Sequence, residues 1–357
     1  MEIQEKTKKV LKDYKVDALL LTSPANMRYL SGFQGEGYVY ISKKQRLIVT
    51  DSRYTVAAKA ESPDFEILCW NSKSYFSFLQ EALKKDGAGS LGFEDLSMTV
   101  AEWEKLKEAV GDLDLRALGR GLSELRQVKS PEEIERIRQA EAIGDRAFSK
   151  ILKKIQVGMT EKEVAAWLEF YMKEEGAEGL SFDTIAASGP HTAMPHAIPT
   201  DRRLEEGDFL TMDFGCIYQG YCSDMTRTIS IGRASEELRN IYEIVARAQQ
   251  TALDNITPGM TGCEIDALAR DVIEEAGYGQ YFGHSLGHSV GLEIHENPNF
   301  SPREEAVILP GMVVSVEPGI YVEGLGGVRI EDLVVITEDG CENLAHSPKE
   351  LIEVEVN

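Results

Sequence analysis

The chain contains one stretch of itself twice. GMTEKEVAAWLEFYMKEEG begins at Gly158 and GMTGCEIDALARDVIEEAG at Gly259, aligned without a gap at an offset of 101 through Gly176 and Gly277. Each copy opens with a Thr-x-x-Glu capping box, Thr160/Glu163 and Thr261/Glu264, which satisfies the free N–H groups at a helix start. Each continues with apolar residues at helical spacing: Val164, Trp167, Leu168 and Tyr171 in one, Ile265, Leu268, Ala269 and Val272 in the other. The duplication runs on into strand-like segments. Gly207 is followed six residues later by Asp213 and then Gly215, and Gly311 six residues later by Glu317 and then Gly319. A further carboxylate follows in each half, Asp224 in YCSDMTRTISIG and Glu331 in GGVRIEDLVVIT. A duplicated unit folded about a pseudo-twofold axis would bring all four acids to one place.

Alternate residues of a strand share a face. Asp213 then lies with Phe209 and Thr211, Asp224 with Thr226 and Thr228, and Glu331 with Arg329. Acids in otherwise apolar strands are costly to bury unless a cation or proton accompanies them. Four carboxylates and an imidazole suit two divalent metals, and an oxygen-rich set favours Mn²⁺ or Co²⁺ over an all-thiolate zinc site. Five of the six histidines fall between positions 191 and 295, three of them in GHSLGHSVGLEIHE. Beside an acid cluster these read as ligand and acid–base groups. His191 is left as a loop residue without a role, and Cys216 and Cys222 as small core residues.

A length of 357 residues suits two domains. DALLLTS and RLIVTD read as strands of a mixed sheet in the first. In LRQVKSPEEIERIR, Ser130 suits an N-cap, Pro131 the first helical position and Glu133 the capping box. The boundary is placed just before that helix, giving domains 1–125 and 126–357. A net charge of −22 disfavours nucleic acid and anionic membranes as partners. No stretch approaches the roughly 20 apolar residues of a membrane helix, and MEIQEKTKKVLKDYK lacks the apolar region of a signal peptide. Five cysteines, an odd number without a CxxC, suggest reduced thiols and hence the cytosol.

Taken together, NMRYLSGF, LRQVKSPEEIERIR, PHAIPTDRRLEEGD, TMDFG, SDMTRT, LGHSVGLEIHE, VEPGIY and VRIEDLVVIT resemble, in order, the blocks of the creatinase/aminopeptidase metallopeptidases (family M24). The likeness is greatest to Xaa-Pro dipeptidases (prolidases) and aminopeptidase P. It implies an α+β chain with a small creatinase-like N-terminal domain and a "pita-bread" catalytic domain. It implies two divalent ions, Mn²⁺ or Co²⁺ with Zn²⁺ as the alternative, held by Asp213, Asp224, His288, Glu317 and Glu331. His196, His295 and Glu317 would be catalytic. His196, His284, His295, Tyr321 and Arg329 would bind substrate or support the site, with Arg329 fixing Glu331. The implied reaction is cleavage of an N-terminal Xaa-Pro bond by a metal-bridging hydroxide. The implied partners are short peptides with proline in second position and a second copy of the chain, as a homodimer. The alternatives are a general or methionine-type aminopeptidase, or a non-catalytic binding module of the same fold. One departure is visible: Ser289 stands where the family usually has glycine, and a serine needs more room and disfavours positive φ.

Overall fold

The computed structural model describes residues 3–70 and 75–356, in two compact units, Met1–Arg126 and Gln127–Asn357. The first unit is built on a six-stranded mixed sheet. Its strands are β1 (Ala18–Leu21), β2 (Gly37–Ser42), β3 (Arg46–Thr50), β4 (Glu66–Cys69), β5 (Ser90–Phe93) and β6 (Asp114–Ala117), in the order β4-β3-β2-β1-β5-β6. DALLLTS and RLIVTD supply β1 and β3, as their composition predicts. Near-continuous apolar runs suit strands covered on both faces. Leu19, Leu21, Val39 and Ile48 pack with α1 (Ile3–Asp13), α2 (Pro24–Ser31) and α3 (Thr55–Glu61). Leu20, Tyr38, Tyr40 and Val49 pack with α4 (Ser77–Asp86) and α5 (Val100–Val110).

The second unit opens with α6 (Pro131–Ile151), capped by Ser130 with Pro131 in its first turn and a reciprocal bond to Glu133, as read from the sequence. The repeated segments form α7 (Glu161–Glu174) and later α9 (Gly262–Glu275), each with its capping box made. After α7 come β7 (Gly179–Leu180), β8 (Ile185–Ser188), β9 (Phe209–Phe214), the short hairpin β10 (Cys216–Tyr218) and β11 (Tyr221–Cys222), and β12 (Met225–Ile231). Helix α8 (Glu236–Asn255) leads to α9. Then follow β13 (Gly287–Ser289), β14 (Glu296–Phe300), β15 (Val313–Val316), the hairpin β16 (Gly319–Val322) and β17 (Gly326–Arg329), β18 (Asp332–Ile336), β19 (Cys341–Asn343) and β20 (Glu353–Val354).

The two larger sheets that result are β20-β12-β9-β8 and β14-β13-β15-β18-β19, beside the small sheet β11-β10-β7 and the ribbon β16-β17. The triplets β8-β9-β12 and β13-β15-β18 are the repeat made visible. Ser188 lies opposite Leu210 in the first, and Ser289 opposite Val314 in the second. Gly207 (φ 91°) and Gly311 (φ 87°) turn the chain into β9 and β15 through the left-handed conformation that glycine tolerates. Each half has a core of its own. Val164, Leu168, Leu210 and Met212 belong to one, and Ile265, Ala269, Val314 and Val334 to the other. Among the described residues no helix is long and apolar enough to cross a membrane.

Candidate metal centre

The repeat delivers its acids at matching points of the chain. Asp213 lies near the end of β9 and Glu317 just after β15; after an intervening hairpin, Asp224 immediately precedes β12 and Glu331 immediately precedes β18. Three of the four therefore lie next to a strand end or beyond it, where side chains converge, rather than in mid-strand. Asp213, Asp224, Glu317, Glu331, Arg329, His196, His284, His288 and His295 line one cleft of about 690 Å³. Tyr321 joins it through the His284 ring.

The ligand atoms of Asp224, His288 and Glu331 all lie within 4.8 Å of one another. His288 Nε2 is 3.5 Å from Asp224 Oδ2 and 3.5 Å from Glu317 Oε1. Its Nδ1 faces the Ser289 carbonyl at 3.3 Å. A carbonyl only accepts, so Nδ1 carries the proton and Nε2 offers its lone pair to the acids, the tautomer a metal ligand needs. Each acid is held from behind. Asp224 N–H donates to Glu141 Oε1 (2.9 Å), Thr226 Oγ1 to Glu331 Oε2 (2.7 Å), Ser315 Oγ to Glu317 Oε1 (2.9 Å), and Arg329 Nη2 to Asp213 Oδ2 (2.7 Å). Asp213 Oδ1 is buried with no hydrogen-bond partner.

Burial dominates the electrostatics, with the crowding of like charges next. Burial, then the charges of Glu331, Asp213 and Glu317, holds the Asp224 carboxyl well above the usual range. Burial, then Glu317 and Asp213, does the same to Glu331. Glu317 is pushed up to about 7, chiefly by burial, against the pull of Arg329. A protein-only cluster of this kind must take up protons; cations would replace them. The orphaned Asp213 Oδ1, the aimed His288 Nε2 and the raised acids therefore fit divalent metal, and four carboxylates with one imidazole form a set for hard or borderline ions.

His284 belongs to a separate chain of bonds. Arg329 Nη1 donates to Tyr321 Oη (2.9 Å), whose hydroxyl lies 2.9 Å from His284 Nε2, while His284 Nδ1 faces the Ser285 carbonyl at 2.8 Å. Nδ1 must be the donor there, so Tyr321 donates to Nε2. Burial lowers the His284 pKa to about 4, which keeps the ring neutral. The His295 ring packs edge-on against His288 with centroids 4.4 Å apart, and burial lowers its pKa also.

The structure alters three expectations. Arg329 binds Asp213 and not Glu331; it reaches Glu331 only through Thr226, whose Oγ1 accepts from Arg329 Nε (2.9 Å) and donates to Glu331. Its Nη1 donates to Tyr321 Oη and to the Pro195 carbonyl. Ser289 is not strained. It lies in β13, outside the positive-φ residues, and its buried hydroxyl donates to the Pro298 carbonyl at 2.7 Å. His191 is not an idle loop residue, since its Nδ1 lies 3.1 Å from the buried Glu161. Cys216 and Cys222 are buried among apolar residues, as read. Thr226 reads from the sequence only as sharing a face with Asp224, not as a support of Glu331. Ser315 escapes a reading of the sequence, and Glu141 leaves a trace there only as an acid on the apolar stripe of α6 between Ile137 and Gly144.

Residues 135–338 match the pattern of metallopeptidase family M24, and residues 4–128 that of the creatinase/prolidase N-terminal domain. The Xaa-Pro dipeptidase of Pyrococcus furiosus is 41% identical over 350 residues, 98% of this chain and 99% of that protein. Among solved structures, an Xaa-Pro dipeptidase from Bacillus anthracis superposes with a TM-score of 0.95 at 43% identity, covering 98% of this chain and 99% of that one. An X-Pro aminopeptidase from Thermotoga maritima gives a TM-score of 0.91 at 41% identity, covering 97% of this chain and 100% of that one.

Proposed function

The chain belongs to metallopeptidase family M24 and is a peptidase; we propose that it cleaves the bond between the first residue and a proline in second position of dipeptides or short peptides. Its fold is that of the family, a creatinase-type domain followed by a pita-bread catalytic domain. The names of its relatives support the proline preference. The observation that carries the reading is the donor set. Asp213, Asp224, His288, Glu317 and Glu331 would hold two divalent ions, Mn²⁺ or Co²⁺ with Zn²⁺ as the alternative. Such ions, when bound, supply polarisation of a carbonyl and a lowered pKa for water.

The side chains supply the rest. Glu317, steadied by Ser315, accepts a proton from the attacking water and returns it to the leaving nitrogen. His196 and His295 reach the cleft from different loops and donate hydrogen bonds to the developing oxyanion and to the leaving side. Neutral His284, Tyr321 and His295 wall the second-position pocket. An Xaa-Pro bond is a tertiary amide without an N–H, so a wall that requires no donor from the substrate accepts it. Arg329 orients Asp213 and Tyr321 and touches no substrate. The reading includes a homodimer, and the cytosol as its setting.

The test is hydrolysis of Ala-Pro, Ala-Ala and Met-Ala-Ser before and after chelation. Activity should vanish with the metal and return with Mn²⁺ or Co²⁺. A pocket that distinguishes substrates by a methylene or two gives roughly 10–200-fold selectivity, so a preference for Ala-Pro above that range indicates selection by geometry. Met-Ala-Ser as the best substrate would replace this reading with a methionine-type aminopeptidase. Metal-loaded protein that cleaves nothing would point to a binding module.

A further inference from the structure

Glu161 opens α7, and its side chain is wholly buried. A sealed carboxylate requires several donors, and Glu161 has them from one place. Ser188 N–H and Ser188 Oγ each donate at 2.7 Å, Thr200 N–H at 2.9 Å and Thr200 Oγ1 at 2.6 Å, with His191 Nδ1 at 3.1 Å. Burial opposes the charge, but the bonds from Thr200 and Ser188 outweigh it and hold the pKa below the usual carboxylate value. The N-terminus of α7 adds favourable dipoles.

The donors come from both ends of the segment 188–200, which carries His196 into the cleft. Apolar packing does little to hold the outer part of that segment, where Met194 is 49% and Ile198 81% exposed. Polar ties hold it instead. Gly327 N–H donates to Thr192 Oγ1 (2.7 Å), Arg329 Nη1 to the Pro195 carbonyl (3.2 Å), and the Glu161 carboxylate closes the loop at its base. The second half solves the same problem differently. The offset of 101 places Gly262 where the first half has Glu161. A Cβ at Gly262 would meet the Asn299 carbonyl at 2.2 Å, so there the helix start presses directly on β14, the strand that follows His295.

We propose that Glu161, with His191 on its flank, is the positioning residue that fixes the His196 loop for catalysis. The proposal rests on the catalytic reading of His196 given above.

A double-mutant cycle tests it. Glu161→Gln keeps the side-chain shape but turns one acceptor into a donor facing other donors. It is compared in the wild-type and His196→Ala backgrounds by kcat and KM on Ala-Pro and by metal content. We expect Glu161→Gln to lower kcat at least about ten-fold in the wild type, with KM changing less and metal retained. In His196→Ala the same change should cost less than about two-fold, because the group it positions is already gone. Equal losses in both backgrounds, or no loss in the wild type, overturn the proposal. His196→Ala with unimpaired turnover would instead overturn the catalytic reading of His196 and, with it, this proposal. If Glu161→Gln does not fold, Thr200→Val, which removes one hydroxyl donor, takes its place in the same cycle.

Discussion

In the first half of the catalytic unit Ala187 stands where the second half has His288, and the residues that follow, Ser188 and Ser289, lie at matching positions opposite β9 and β15. The halves share the acids and differ in almost everything that gives those acids direction. Aspartates stand in the first and glutamates in the second, and the one imidazole among the acids, His288, comes from the second. Ser188 ties its loop to the Glu161 carboxylate, whereas Ser289 donates to the Pro298 carbonyl of the neighbouring strand β14. The difference teaches that the symmetric part of the site concentrates charge, while the asymmetric part decides where a substrate and its protons can go.

Asp224 and Asp332 offer the largest contrast. Asp224→Asn should lose activity below detection together with metal uptake. Asp332 lies on the opposite face, in a buried pair with Arg227 at 2.7 Å. Asp332→Asn should keep metal but lose stability, by about 3–5 kcal/mol if Arg227 is left uncompensated. Elemental analysis and denaturant unfolding separate the two; parallel loss of metal would break the assignment of faces.

Next in size, His196→Ala and His295→Ala should each lower kcat by about 10²–10³ with metal retained, the usual effect of removing one preorganised donor. A metal-depleted His295→Ala protein would show that its imidazole is a ligand.

A smaller effect follows pH. The folded pKa of Glu161 is depressed, so its stabilisation is complete above the unfolded carboxylate value of about 4.3 and is lost as pH falls through the folded value. Unfolding of wild type and Glu161→Gln in urea should differ most near neutrality and converge in acid. A gap independent of pH would mean that Glu161 is not ionised.

The smallest contrast compares the two serines. Ser188→Ala removes a donor from a carboxylate, where hydrogen bonds are worth about 1.5–3 kcal/mol, and Ser289→Ala one from a neutral carbonyl, worth about 1 kcal/mol. Unfolding free energies that rank the other way would remove the distinction between the two ties.

What a sequence shows here depends on how far apart the partners are. Capping boxes span three residues, so Thr160/Glu163, Thr261/Glu264 and Ser130/Glu133 were legible, and the paired acids stood out because the chain repeats them. Ser289 was misjudged because β13 becomes a strand only by pairing with β14 on one side and with β15, some 25 residues on, on the other. Arg329 was given a neighbour on its own strand face, yet a guanidinium on a long stem reaches across to Asp213 in the other half. Glu161 looks like any acid in a first helical turn; its donors come from residues 27, 30 and 39 positions later.

Arg227 binds the two halves to each other. It issues from β12 of the first half, fully buried, and its guanidinium spends five bonds elsewhere than on solvent. They go to the Thr226 and Glu331 carbonyls, the Asp332 carboxylate, and the Ser347 and Pro348 carbonyls. One side chain thus rivets together a strand from each half and the chain's closing segment. A fragment ending after β12 would have to seal a cation without its counter-ion, and the complementary fragment would bury Asp332 without Arg227. Neither half can be lifted out, swapped or redesigned without leaving one member of that pair buried alone.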